Sequence, residues 1–202
     1  MNRELIVSEL DRLFPEPKCE LTYNHDYELL LKVMLSAQTT DKRVNLVTED
    51  LFIKYDTLEK LKTLSVEEIS SYIKSIGFAS NKSRNFKSIV EEISKIGYVP
   101  NDMKYLESLS GVGHKTASVV LAHLYNEPTF AVDTHVFRVS KRLGITKEKD
   151  DIEVTEKKLK KFFKKDEYNR VNSQLVLFGR YYCMSRSPLC ESCKLKSICK
   201  KK

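Results

Sequence analysis

Residues 106–121, which read LESLSGVGHKTASVVL, decide the fold because they place two glycines in a tight joint between two helices. Apolar residues before the joint close a short helix, and those after His114 form one face of a longer helix. Glycine lets the backbone approach a partner closely, and a new helix start offers N–H groups that bind phosphate. The joint therefore predicts either an ordinary hairpin between packed helices or a site that grips a nucleic-acid backbone without reading its sequence.

Lys115 lies just past this joint and points away from the buried side of its helix. It precedes the apolar Ala117 by two residues, about 200° around a helix that turns about 100° per residue. Further along, Asp133 follows an apolar segment and stands where another amphipathic helix begins. On the residues alone, Lys115 is a phosphate contact or a reactive lysine, and Asp133 is a helix cap that can hold a second role.

The rest of the chain reads as a series of amphipathic helices, without the alternation that predicts strands. A capping box of Ser65 and Glu68 begins one helix. Gly77, Gly97 and Gly144 each follow an apolar helical stripe and are predicted to end those helices in the left-handed conformation. The sequence therefore predicts an all-α protein, and its length is ample for a hydrophobic core.

Three further helical segments complete this prediction. Residues 27–35 form the most apolar segment and are expected to be the most buried helix. Residues 41–52 are expected to form a helix capped by Thr39 or Thr40, and residues 157–165 an amphipathic helix with a basic, solvated face.

The charge of the chain suits a polyanionic partner, although simple solubility explains it equally well. The 202 residues carry 35 lysines and arginines against 28 acidic residues, a net charge of +7. No stretch approaches the roughly 18 apolar residues that cross a bilayer, and the acidic residues at the start do not fit a signal peptide. We therefore expect a soluble protein in the cytoplasm, without a membrane partner.

Four of the five cysteines are clustered near the end of the chain. They are separated by six, two and five residues, and are Cys183, Cys190, Cys193 and Cys199. Such spacing brings four thiolates to one centre through short loops, which fits either a structural zinc ion or a four-iron cluster. Two disulfides are the weaker alternative in a reducing compartment, and Cys19 stands apart as a buried thiol.

Four motifs resemble, in their order along the chain, the HhH-GPD superfamily of helix-hairpin-helix DNA base-excision glycosylases. They are LLKVMLSAQTTDKRVN from Leu30, SYIKSIGFASNKSRN from Ser71, the joint at 106–121, and VDTHVFRVSKRLG from Val132. The cysteine tail continues the likeness, which covers nearly the whole chain. The resemblance implies two helical lobes with a DNA-binding cleft between them.

The resemblance also implies how the chain divides. Residues 22–132 would form a helical barrel domain that contains the helix-hairpin-helix at about 106–125. Residues 1–21 and 133–202 would form a discontinuous iron–sulfur domain. Its loop at 183–199 is similar to the cluster loop of the superfamily, which implies a [4Fe–4S] cluster held by the four clustered cysteines.

The activity that the resemblance implies is that of a bifunctional DNA glycosylase and AP lyase that removes oxidised pyrimidines. The amine of Lys115 would attack the sugar C1′ as the base leaves, and the resulting Schiff base would promote β-elimination on the 3′ side of the abasic site. Asp133 would aid lysine activation or stabilise positive charge on the sugar. The substrate would be double-stranded DNA with a damaged base or abasic site, bound by a monomer.

Five positions match DNA contacts of the superfamily: Gln38, Phe78, Gly111, Gly113 and His114. A base that leaves the duplex leaves a gap, which Gln38 would fill while Phe78 wedges between bases. Relatives usually carry leucine at the position of Phe78, so this residue is either a bulkier wedge or a core residue. His114 stands where an arginine is expected.

Two other functions remain open on the sequence. A non-enzymatic helix-hairpin-helix DNA-binding module needs the glycines and a basic surface but neither Lys115 nor Asp133. A mismatch-specific adenine glycosylase of the same fold typically lacks the lysine. Lys115 disfavours both functions.

Overall fold

The computed structural model describes residues 2–201, and in this part of the chain it contains helices and no strand. The predicted all-α fold is therefore confirmed. In chain order the α-helices are α1 Arg3–Leu13, α2 Asp26–Leu35, α3 Asp41–Lys54, α4 Leu58–Thr63, α5 Val66–Ile73, α6 Ala79–Ile96, α7 Met103–Ser108, α8 His114–Tyr125, α9 Thr134–Arg142, α10 Ile152–Phe162 and α11 Tyr168–Leu177.

The helices belong to two compact units. One unit, Cys19–Tyr125, contains α2 to α8, and the other, formed by Met1–Lys18 with Asn126–Lys202, contains α1 and α9 to α11. The unit boundaries fall three and seven residues before the two boundaries that the sequence analysis places, after residues 21 and 132.

The core of the unit Cys19–Tyr125 is built around α2. Leu29, Leu30 and Leu31 are three consecutive residues that are all fully buried, which requires neighbours on every side of the helix. These neighbours are α3, α6 and α8. The prediction that residues 27–35 form the most buried helix agrees with this packing.

The helix α6 is an 18-residue amphipathic helix that packs on α4 and α5. Its fully buried side chains recur at helical spacing and are Phe86, Ile89, Val90 and Ile93. Burying each of these removes enough apolar surface from water to contribute about 1.5–3 kcal/mol. Its other face is polar, and within residues 2–201 no helix has the length and apolar character needed to cross a bilayer.

The second unit has its own aromatic and aliphatic core. Phe130 is fully buried and stacks on Phe163, with 5.9 Å between the ring centroids. Val136 and Val139 on α9 are also fully buried. Because α9 packs against both α10 and α11, this core fixes the helix that follows Asp133.

The predicted helix starts are largely confirmed. Ser65 and Glu68 form the reciprocal capping box at α5, and α3 is capped by Thr40, whose hydroxyl accepts from the N–H of Arg43 at 3.2 Å. The basic helix α10 begins earlier and ends earlier than predicted, because Asp151 provides its cap and its last residue is Phe162. Side-chain caps of this kind contribute about 1 kcal/mol each.

The predicted left-handed helix stop at Gly77 is wrong. Gly97 and Gly144 do adopt positive φ values, of 80° and 74°, but Gly77 does not. The left-handed residue is its neighbour Phe78, with φ 61° and ψ 33°, and this residue directly precedes α6. The chain therefore places an unfavourable backbone conformation on an aromatic residue although a glycine stands next to it.

Candidate active site and cysteine centre

The glycine joint lies between α7 and α8, as predicted, and Gly111 sets its backbone. Its φ of 76° lies in the left-handed region that favours glycine. A Cβ at this position would also collide with the side-chain amide of Asn85 on α6, whose Cγ would lie 2.9 Å away. Val112 turns inward and is buried. The joint therefore requires glycine at residue 111 for two separate steric reasons.

Gly113 differs from Gly111 because nothing crowds it. Among the described residues, no atom lies within 4 Å of the Cβ that another side chain would add there. The helix α8 begins at the next residue, and the N–H groups of a first helical turn have no carbonyl partner within their helix. The surface at Gly113 thus leaves room for a phosphate at a helix start.

His114, the first residue of α8, contacts an acidic side chain across the joint. Its Nδ1 lies 2.7 Å from Oε1 of Glu107 on α7, and both side chains are exposed at the surface. The carboxylate engages one of the two ring nitrogens of the imidazole. A phosphate contact of His114 would therefore use Nε2 or replace Glu107 at Nδ1, and it stays a prediction.

Lys115 is exposed on the first turn of α8, whereas Ala117, about 200° further around the helix, is buried. This arrangement confirms the outward orientation that the helix phase predicts. The amine is thus carried by a rigid helix start, next to the open surface at Gly113. A nucleophile for a bound sugar needs both accessibility and a fixed position.

Asp133 belongs to the other unit, where it caps α9. Its Oδ1 accepts a hydrogen bond from the N–H of Val136 at 2.7 Å, and its side chain is half-buried. The cap holds the carboxylate in one orientation and uses one oxygen atom. Asp133 is therefore the helix cap that the sequence predicts, and its second role stays a prediction.

Gln38 and Phe78 share an uncommon backbone feature, which the described chain also has at Asn126 and Ser187. Both adopt left-handed conformations, with φ values of 58° and 61°, although neither is glycine. Such conformations cost about 1–2 kcal/mol and cluster at functional sites. Gln38 is exposed, and Phe78 is 64% exposed. The exposure of Phe78 excludes the alternative that it packs in the core.

The four clustered cysteines line one cavity in the unit that contains α9. The cavity has a volume of about 520 Å³, and its lining includes Cys183, Cys190, Cys193 and Cys199. The lining also includes apolar side chains, Leu143, Phe178, Leu189 and Leu195, and charged ones, Arg142, Glu191, Lys196 and Lys201. Within residues 2–201 the cysteines are thiols without a disulfide. The four cysteines that the sequence groups together therefore line one cavity, and their convergence on one metal centre stays a prediction.

The size of this cavity bears on which metal group fits. Within the described part of the chain, no three histidine, cysteine or acidic side chains are placed to hold a metal ion. A single zinc ion, with bonds of about 2.3 Å, needs the sulfurs close together. A four-iron cluster is larger and takes one thiolate per iron. Burial raises the pKa of the Cys193 thiol, the backbone N–H of Leu195 opposes this, and the nearby Cys183 and Cys199 add to the increase.

Two arginines of α9 hold the chain at Cys183. The guanidinium of Arg142 donates to the Cys183 carbonyl oxygen at 3.1 Å and to its Sγ at 3.3 Å. Arg138 donates to the carbonyl oxygen of Gly179 at 2.6 Å. Neither arginine is among the site residues predicted above, although their spacing of four places them on one face of α9. What that face covers depends on tertiary packing, which the spacing does not indicate.

The comparison with protein families finds one match. Residues 31–165 match the HhH-GPD family, described as the superfamily of base excision DNA repair proteins. The matched range contains Gln38, the glycine joint, Lys115 and Asp133. It extends over more than half of the chain.

Curated proteins similar to the chain over nearly its full length include two bacterial endonucleases III. That of Rickettsia felis is 44% identical over 200 residues, which cover 96% of this chain and 93% of the relative. That of Bacillus subtilis is 42% identical over 201 residues, which cover 98% of this chain and 91% of the relative.

Solved structures with a similar fold include two endonuclease III complexes with DNA. A trapped covalent intermediate superposes with a TM-score of 0.93 at 40% identity, over 99% of this chain and 96% of the other. A non-covalent complex superposes with a TM-score of 0.94 at 40% identity and the same coverage. A thermostable thymine-DNA glycosylase, 22% identical with a TM-score of 0.86, shares the fold.

Proposed function

Because this chain belongs to the HhH-GPD superfamily of base excision DNA repair proteins, we propose that Lys115 is the nucleophile with which it removes oxidised pyrimidines. The chain is a bifunctional DNA glycosylase and AP lyase of base excision repair. The observation that carries the role of Lys115 is its position: an exposed amine on the first turn of α8, two residues after the open Gly113.

The chemistry starts with attack of the neutral Lys115 amine on C1′ of the nucleotide. The C1′–N bond breaks, and the base leaves with the bonding electrons. Opening of the sugar gives a protonated Schiff base, which acidifies the C2′ proton. Loss of that proton and of the 3′ phosphate then cleaves the strand by β-elimination, and hydrolysis of the Schiff base releases the enzyme.

Lysine attacks only after it has lost its proton. The proton of Lys115 therefore needs an acceptor beside the bound nucleotide.

Asp133 is proposed to act by its charge. A carboxylate near the reacting sugar stabilises the positive charge that develops as the base leaves, and it can also accept the proton of the lysine. The cap on α9 fixes its direction before substrate arrives, so no reorganisation is needed during the reaction.

DNA binding is proposed to use the backbone at the joint and two inserted side chains. The N–H groups that follow Gly113 bind a phosphate, which positions the duplex without reading its sequence. Phe78 and Gln38 then occupy the gap that the extruded nucleotide leaves. Both are exposed and both have a fixed, left-handed backbone, which is suited to entering a base stack.

We also propose that Cys183, Cys190, Cys193 and Cys199 hold a [4Fe–4S] cluster. When bound, the cluster supplies four metal–thiolate bonds that tie residues 183–199 into one fixed loop. Lys194 and Lys196 lie in this loop and would then face phosphates with a fixed geometry. The enzyme is further proposed to be a monomer that works in the cytoplasm on nucleoid DNA.

Borohydride reduction tests the nucleophile. It converts a Schiff base between enzyme and abasic-site DNA into a stable covalent complex. Wild-type enzyme should give this complex, and Lys115→Gln should not, although it still binds the DNA. Lys104→Gln removes an exposed lysine from α7 and should form the complex like wild type. A wild-type protein that gives no complex would refute the proposed lyase reaction.

A further inference from the structure

One face of α6 carries three residues that lie at the predicted DNA contacts. Phe78 directly precedes α6, Lys82 lies four residues after Phe78, and Asn85 lies three residues after Lys82. At this spacing all three residues lie on one face of the helix. Asn85 packs against Gly111 of the glycine joint. Phe78 is itself a proposed DNA contact, and Lys82 points toward the turn that carries Gln38. The helix therefore adjoins Phe78, the turn that carries Gln38, and Gly111.

The side chain of Lys82 is almost completely buried, with 5% exposed. Its Nζ donates to the carbonyl oxygen of Ala37 at 2.6 Å and to that of Leu35 at 2.9 Å. Leu35 is the last residue of α2, so the ammonium neutralises the negative end of this helix and satisfies one of its last carbonyls. Ala37 is the residue directly before Gln38.

The backbone of Lys82 completes the connection. Its N–H donates to the carbonyl oxygen of Phe78 at 3.0 Å. One residue thus binds the carbonyl of Phe78 through its main chain and the carbonyl next to Gln38 through its side chain. It joins the two residues of the described chain that are proposed to enter the base stack.

The turn at Gln38 is closed by one backbone bond, from the N–H of Thr39 to the carbonyl oxygen of Ser36 at 3.1 Å. Gln38 lies inside this turn with a φ of 58°. Because an exposed, non-glycine residue in this conformation relaxes unless its surroundings hold it, a second constraint is needed. The bond from Lys82 to Ala37 provides that constraint from the adjacent residue.

A buried ammonium is an expensive way to fill space. Burial lowers the pKa of Lys82, and among residues 2–201 no carboxylate forms an ion pair with it. An apolar side chain of similar length would fill the same volume without this cost. The two carbonyl bonds, and therefore the geometry of the turn, are what the ammonium contributes.

We propose that Lys82 is a positioning residue that holds the Gln38 turn fixed relative to Phe78, so that both side chains enter the duplex together. The inference rests on the proposed function, because it assumes that these two residues occupy the gap left by the extruded nucleotide. It adds a residue that acts on DNA through Gln38 and itself makes no contact with the substrate.

The test compares an abasic site in a fully paired duplex with the same site in an unpaired bubble. Lys82→Met should slow single-turnover strand cleavage of the duplex by about tenfold and that of the bubble by less than about twofold, because open DNA needs no inserted side chains. Lys82→Arg retains the cation and its donors and should restore most of the duplex rate. An equal loss on both substrates would overturn the proposal.

Lys32→Met is the matched control for the loss of a buried ammonium. Lys32 is also 5% exposed in the same unit, and its Nζ donates to the carbonyl oxygen of Thr22, away from the Gln38 turn. The Lys32→Met variant should change thermal stability but not the ratio of duplex to bubble cleavage rates. If Lys82→Met does not fold at the assay temperature, Lys82→Gln replaces it, and the duplex rate should again fall more than the bubble rate. If Lys32→Met lowers the ratio of duplex to bubble rates as much as Lys82→Met does, the proposal is overturned.

A double-mutant cycle with Gln38→Ala identifies the route of the effect. Because Lys82 acts through Gln38, the double variant should cleave the duplex little slower than Gln38→Ala alone, whereas independent roles give multiplied losses. Multiplied losses would overturn the proposal. Borohydride trapping distinguishes a failure of the proposed function from a failure of the proposal for Lys82. If the wild-type enzyme forms no trapped complex, the proposed function is refuted. If the complex forms normally and Lys82→Met cleaves the duplex at the wild-type rate, only the role of Lys82 is refuted.

Discussion

Asn85 packs against Gly111 so closely that its side-chain amide fills the place of a Cβ at residue 111. The corresponding place at Gly113, two residues later, has no neighbour within 4 Å among the described residues. The two glycines of one motif therefore serve different purposes. Gly111 allows the joint to fold, and Gly113 keeps the surface beside α8 open.

Gly113→Ala should separate DNA binding from stability. Its added methyl group has room in the free protein, so the free energy of unfolding should change by less than about 1 kcal/mol. The same methyl group occupies the space for a phosphate and should weaken binding to damaged and undamaged duplexes alike, by about tenfold. Fluorescence anisotropy and urea unfolding measure the two effects.

Gly111→Ala is the control for this prediction. Its positive φ and the collision with Asn85 should lower the free energy of unfolding by about 1–3 kcal/mol. Equal stabilities of the two variants, or an unchanged DNA affinity of Gly113→Ala, would contradict the assignment of separate roles.

Phe78→Gly should cost activity without costing stability. Glycine adopts the left-handed conformation of residue 78 freely, so the free energy of unfolding should stay constant or rise by up to about 1 kcal/mol. The aromatic wedge is lost, and excision of an oxidised pyrimidine should slow by about tenfold or more. Phe78→Leu keeps an apolar wedge and should retain most of the rate. An excision rate for Phe78→Gly equal to that of wild type would show that residue 78 is no wedge.

Residues of this site differ in how far their positions can be predicted from the sequence. Lys115 was assigned its outward direction correctly because the periodicity of one helix determines it. Local pattern failed at Gly77, where glycine predicts the left-handed residue, because the packing around α6 places that conformation on Phe78. Lys82 lies four residues before Phe86, in phase with the buried stripe of α6, but the sequence gives no reason to bury a lysine there, since lysine usually remains in water. Its burial depends on the end of α2, which lies far away in the chain.

Acid should loosen the helix that carries Lys115. His123 lies in the last turn of α8, and burial lowers the pKa of its imidazole below the usual 6.5. Below that value the unfolded chain binds a proton more readily than the folded one, so stability should fall from about pH 6.5 downward until the folded protein also titrates. The contribution is constant at higher pH.

Urea unfolding at about pH 7.5 and about pH 5.5 measures this effect. His123→Leu should reduce the difference between the two midpoints. His25→Gln replaces an exposed histidine of the same unit and should leave the difference unchanged. A pH dependence in His123→Leu as large as that of wild type would exclude His123 as its source.

Replacing one clustered cysteine should remove the metal group. Purified wild-type protein should contain about four iron atoms per chain and absorb visible light broadly through its iron–thiolate bonds. Cys190→Ser should lose most of both signals. Cys19→Ser is the matched control, because Cys19 lies in the other unit and does not line the cavity. Zinc in place of iron, or an iron content that is independent of Cys190, would contradict the cluster assignment.

The most direct test of the central claim is to identify the residue that carries the DNA. Wild-type enzyme is reduced with borohydride on abasic-site DNA, digested with protease and nuclease, and analysed by tandem mass spectrometry. Lys115 should carry the deoxyribose remnant, on a peptide that includes the first turn of α8. A remnant found on another lysine or on an α-amino group, with Lys115 unmodified, would contradict the account.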